Sequence, residues 1–249
     1  MGNSIAKDFK RVKLGHSIQT ELSTDMIAPG SRTLNKSMTV VVRKDYNRNP
    51  TIIFDMDSML PLFVTKKRRS KGNLDVESVT KDRSGNNLFL TTKPSKVQRL
   101  ICKAPKTSTT GGPPPPLVPE FSLDSGLDCS AHSSVSFASV GSHSSSASFR
   151  YRKISDLPLA AQIDIDRSAA ATTAVLSVVV WKGGGPELML VYKAVQVPTV
   201  NYGALIVDNE SQVVGKTSFD EERMEPKIKI ASGADVPSVV TLSTSLLGF

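Results

Sequence analysis

Two pairs of aspartates have a spacing that could do chemistry. Asp55 and Asp57 close the apolar run Thr51-Ile52-Ile53-Phe54. Two carboxylates one residue apart at a strand end can act as nucleophile and general acid. Asp164 and Asp166 repeat the spacing in Ile163-Asp164-Ile165-Asp166, where alternation puts both on one strand face. Neither pair has evident helpers. Cys102 and Cys129 lie 27 positions apart, and His132 and His143 fall in a Ser-rich tract without ligand spacing. Gly183-Gly184-Gly185 lacks the Lys and Ser/Thr of a phosphate loop and reads as a hairpin turn.

The segment from Thr51 to Asp57 looks like the nucleophile strand of haloacid-dehalogenase-type phosphatases. That chemistry also needs a lysine, a late acidic pair for Mg²⁺ and a parallel βα scaffold, and the chain downstream shows no βα alternation. The expectation is a protein that is not an enzyme and carries no cofactor or metal.

A different chemistry sits at the N-terminus. Met1-Gly2-Asn3-Ser4-Ile5-Ala6 fits an N-myristoylation site once Met1 is removed, with small Ala6 where the strict pattern has Ser or Thr. On a helical wheel Ile5, Phe9 and Val12 share one face, flanked by Lys7, Lys10, Arg11 and Lys13. These seven residues are the expected membrane-binding set. One acyl chain holds a protein to a bilayer only marginally, so a basic patch beside it is the second signal.

Further basic residues cluster at Lys66, Lys67, Arg68, Arg69 and Lys71. Such a run serves anionic lipid, nucleic-acid phosphate or nuclear import. It has no aromatic interleaving, which argues against base-specific RNA reading. Pro113, Pro114, Pro115 and Pro116 form either a rigid spacer or a ligand for host proline-motif-binding modules. The run resembles the Pro-Pro-x-Tyr budding motif of viral matrix proteins, with Leu117 in place of the tyrosine.

The elements that must position these residues divide by composition. The net charge is +8, but residues 1–111 carry 21 Lys/Arg against 9 Asp/Glu. A basic half points to an anionic partner, either nucleic acid or an anionic membrane surface. Residues 1–35 read as a basic amphipathic arm. Residues 36–106 read as a basic mixed β segment with strands at 37–43, 51–55 and 87–91 and an apolar patch at 59–64. Residues 107–148 read as a disordered Pro/Ser linker, with 12 serines in positions 122–148. Residues 149–249 read as a separate β-rich domain with strand candidates at 149–154, 159–165, 174–181, 187–195, 204–207, 212–217, 227–230 and 238–242. The expected fold is therefore mainly β, an antiparallel sandwich or barrel in the C-terminal half after a basic, partly disordered N-terminal half. The run 174–181 is expected to be buried on both faces. No signal-peptide core follows Met1, and the longest apolar run, 169–181, is shorter than the roughly 20 residues a helical span needs. The expectation is a reducing compartment and no crossing of a membrane.

Gly2 with its basic helix, the basic half, the proline run, the serine tract and the β-rich domain together resemble a viral matrix protein of negative-strand RNA viruses, including the rhabdovirus kind. The resemblance implies a peripheral protein on the cytoplasmic face of a membrane and in the virion, self-associating, bridging the inner leaflet to RNA or ribonucleoprotein and driving budding. The competing resemblance is to a plant-virus movement protein, which combines a β-rich core with basic flanks and binds nucleic acid. The basic cluster leaves a nuclear address open.

Overall fold

A computed structural model describes residues 2–15, 36–44, 50–67, 76–104, 157–168, 171–182 and 184–248. After the N-terminal helix α1 (Gly2–Arg11), six strands follow in the first half of the chain: β1 (Met38–Lys44), β2 (Pro50–Asp55), β3 (Pro61–Lys67), β4 (Val76–Asp82), β5 (Asn87–Ser95) and β6 (Gln98–Lys103). Six more follow residue 156: β7 (Leu159–Arg167), β8 (Thr172–Lys182), β9 (Gly185–Gln196), β10 (Ala204–Asp208), β11 (Val213–Asp220) and β12 (Glu225–Ile230), then helix α2 (Val236–Leu247). Each strand pairs antiparallel with the next, and β1 pairs with β12, so the sheet closes into one barrel. Closure removes every long sheet edge.

The mainly β, barrel expectation holds, but the barrel is not confined to the C-terminal half. The expected division at residue 107 into a basic segment and a separate β-domain is overturned by two seams. One is β6–β7, where Ile101 faces Ala161; the other is β12–β1, where Ile228 faces Val40. Alternate side chains point inward from both halves, so Val40, Val42, Ile53, Phe89 and Ile101 share one core with Ile163, Leu176 and Ile206. Three strands, β3, β4 and β6, lie where none was expected, β3 taking up most of the apolar patch at 59–64. The Pro/Ser linker at 107–148 and the strand candidate at 149–154 lie outside the described residues.

Helix α2 runs through the interior, where a strand was expected at 238–242. Val-Val-Thr favours a strand locally, but the flanks specify a helix. Asp235 caps it, its Oδ2 accepting from the Ser238 N–H at 2.9 Å, and Pro237 falls in the first turn. At the other end Gly248, at φ 73°, donates its N–H to the Thr244 carbonyl at 2.9 Å. The helix packs against β7 to β12 and buries Val239, Val240, Leu242 and Leu246. The buried Ser243 hydroxyl returns to the Val239 carbonyl at 2.7 Å. Glycine is required at 215 by close approach: a Cβ there would meet Ile206 Cδ1 and Val239 Cγ1 at 2.9 Å.

Strand direction defines two rims. At the upper rim β8 turns into β9, β10 turns into β11, and α2 enters the barrel. At the lower rim β3, β5 and β7 end and α2 finishes.

Candidate functional site

The helix that carries Gly2 is docked on the barrel. Phe9 is only 5% exposed, Val12 is half-buried, and Leu14 packs against the main core. The apolar face expected to meet a membrane is therefore turned toward β11, at least at Phe9. Lys216 of β11 holds the helix end. Its Nζ lies 4.6 Å from the Phe9 ring centroid and donates to the carbonyls of Phe9, Lys10 (3.2 Å) and Val12 (3.4 Å). A cation at these last carbonyls is the expected complement to a helix C-terminus. Burial, and after it Lys229, push the Lys216 pKa below the ordinary lysine value. Lys7, Lys10, Arg11 and Lys13 all stay exposed, so docking leaves the basic face outward. Lys216→Met should loosen α1 by about 1–2 kcal/mol. Amide exchange should then accelerate at residues 8–15 and stay unchanged in the barrel core.

The chain leaves α1 along the upper rim, where the Gly15 N–H donates to the Val213 carbonyl at 2.8 Å. The adjacent β10–β11 turn supports the longest hairpin of the barrel, Asn209 Nδ2 donating to the Leu190 carbonyl at 2.7 Å. That hairpin outruns its neighbours. Pairing of β8 with β7 stops at Val178 and pairing of β9 with β10 stops at Tyr192, yet β8 and β9 stay paired to Lys182 and Gly185. On the outer face of this ribbon Trp181 is 79% exposed, Leu188 51% and Leu190 43%, with Pro186 exposed beside them. The run 174–181 is thus not buried on both faces. Ala174, Leu176 and Val178 face the core, and the chain's single tryptophan faces out.

At the lower rim a cavity of about 280 Å³ lies between α2 and the inner faces of β2 to β6. This half of the barrel wall adds polar groups to its apolar ones, with Thr51, Thr80 and Thr91 buried and the Thr65 and Thr80 hydroxyls 3.0 Å apart. Lys67, Lys93, Arg99 and Arg167 also line it. Of the basic cluster, Lys66 and Lys67 end β3 and are exposed; Arg68, Arg69 and Lys71 lie outside the described residues, as do Pro113, Pro114, Pro115 and Pro116. Gly2 and Ile5 belong to α1.

The aspartate pairs are turn and surface residues. Asp55 accepts from the Ser58 hydroxyl at 2.7 Å and the Asp57 N–H at 3.3 Å, organising the β2–β3 turn. Asp164 is exposed and accepts from Gln162 Nε2 at 3.0 and 2.8 Å. Cys102 is a buried free thiol whose pKa burial raises. Among the described residues no cluster of His, Cys, Asp or Glu could hold a metal ion, and no helix is long and apolar enough to cross a membrane. Sequence reasoning missed Lys93, Arg99 and Arg167, which come from the neighbouring strands β5, β6 and β7 and meet only through strand pairing. It placed Trp181 in the core because β-branched neighbours hide which face it takes.

These features define a closed twelve-stranded antiparallel barrel with an internal helix, a basic N-terminal helix and a projecting apolar ribbon. The sequence matches no protein-family model and no curated protein. Among solved structures the chain is similar to an X-ray structure of a protein from Arabidopsis thaliana, at 10% identity and a TM-score of 0.47, over 89% of this chain and 96% of that one.

Proposed function

We propose that this barrel is a non-enzymatic, peripheral membrane-binding structural protein that meets an anionic lipid surface with its upper rim. The observation that carries the reading is the ribbon: Trp181, Leu188 and Leu190 stand exposed where β8 and β9 outrun the wall. A tryptophan with an apolar body and one polar N–H suits the boundary between headgroups and acyl chains. Charge complementarity names the occupant. The segment following α1 meets the β10–β11 turn that braces the ribbon, so exposed Lys10, Arg11 and Lys13 belong to the same rim. Acylation at Gly2 would add the second anchor that a basic patch requires. Self-association and attachment to ribonucleoprotein, as in the matrix proteins the sequence resembles, extend this reading.

Flotation of the full chain with phosphatidylserine-containing vesicles tests it, beside a gel shift with single-stranded RNA over the same salt series. Lipid binding should fall with salt and should fall further, by about tenfold or more, in non-acylatable Gly2→Ala. Unchanged partitioning of Gly2→Ala, with no acyl mass on the natural chain, would remove the anchor. RNA binding without lipid binding would favour the movement-protein reading.

A further inference from the structure

The lower-rim cavity has a chemistry that neither membrane contact nor barrel stability accounts for. Lys67, Lys93, Arg99 and Arg167 converge on it from four strands, and no carboxylate is among the described residues that line it. Thr51, Thr65, Ser78, Thr80 and Thr91 line the wall beside Ile53, Phe63 and Phe89, while the β7–β12 side of the same interior packs its apolar residues against α2. We propose that this cavity is a binding site for a phosphate-bearing small molecule.

Three observations support that ligand class. Lys67, Lys93 and Arg167 bring three formal positive charges to the cavity from three strands, and none of the described lining residues is acidic. The hydroxyls are placed to share the load, since phosphate oxygens accept equally from Thr, Lys and Arg. Thr51, Thr80 and Thr91 are buried on the wall, with Thr244 and Ser245 on the last turn of α2 facing them across the space. The size also fits. A cavity of about 280 Å³ is close to the lower bound of roughly 300 Å³ for small-ligand sites, with Phe63 and Phe89 able to seat a short apolar portion. Arg99 is 8% exposed and its Nη1 is fixed by the carbonyls of Ser95 (3.1 Å) and Gln98 (3.0 Å). Lys67, Lys93 and Arg167 are exposed, which places them at the mouth, where an anion would enter.

The experiment uses the full chain and two probes: glycerol 3-phosphate, a soluble phosphate monoester, and dihexanoyl phosphatidic acid below its micelle concentration. Titration calorimetry and thermal melting are recorded for each. At least one probe should bind and raise the melting temperature, as any ligand of the native state does. Binding of the soluble probe identifies a free phosphate ester as the source; binding of the lipid alone identifies a lipid headgroup with its chain seated. Lys67→Gln/Lys93→Gln changes two exposed side chains, so the barrel should fold, and affinity should drop at least tenfold. Arg83→Gln/Lys103→Gln, two exposed cations that do not line the cavity, should bind as the natural chain does. Failure of both probes would overturn the proposal. So would equal affinity in the Lys67/Lys93 variant, or a loss confined to the Arg83/Lys103 variant. None of these results bears on the upper rim, so the site and the membrane reading fail separately.

Discussion

Residues 149–249 expressed alone should show no cooperative thermal melt. The fragment keeps β7 to β12 and α2 but loses both seams that close the barrel, leaving β7 and β12 as open edges. It also loses Val40, Val42, Ile53, Phe89 and Ile101, all 3% exposed or less. At about 1.5–3 kcal/mol per buried side chain, these five alone contribute roughly 7–15 kcal/mol. A whole domain is stable by only about 5–15 kcal/mol. Circular dichroism and sedimentation of the fragment should therefore report an unfolded or aggregating chain. A reversible β-type melt would show that the C-terminal half is a unit of its own, as its composition suggests.

The second large effect is expected at Leu242. It lies on α2 with no exposure, on a helix that packs against β7 to β12. Leu242→Ala leaves a cavity against that sheet, whose paired strands can collapse little, so the cost should approach the upper end of the 2–5 kcal/mol range for such truncations. Chemical denaturation measures it as a lowered midpoint at unchanged slope. A cost below about 1 kcal/mol would mean that the helix does not pack against that sheet.

What could be read from the sequence follows from which signals are local. Strands β1, β2, β5 and β7 through β12 announce themselves by alternating or β-branched runs and by turns such as Gly183-Gly184-Gly185-Pro186. Strand β4, Val-Glu-Ser-Val-Thr-Lys-Asp, and β6, Gln-Arg-Leu-Ile-Cys-Lys, carry too many polar residues to stand out. Helix α2 was hidden by its environment. A helix buried on most sides needs no polar face, so Val-Pro-Ser-Val-Val-Thr-Leu shows no helical period, and only Asp235 and Gly248 mark its ends. The domain division fails for a related reason. Charge and Pro/Ser content report solvation, not strand pairing, and β1 meets β12 across almost the whole chain. Of the sites, Lys67 and the cations of α1 were visible as basic runs. The burial of Phe9 was not, because the wheel that identifies an apolar face cannot say what covers it.

Because Trp181 is the chain's one tryptophan, its fluorescence reports on the proposed lipid-facing ribbon alone. In solution the exposed indole should emit at long wavelength. Adding phosphatidylserine vesicles should shift the emission to the blue and expose it to quenching by brominated acyl chains, as expected for a ring at the headgroup boundary. Vesicles that bind the protein, by flotation, while Trp181 emission and quenching stay unchanged would contradict the account.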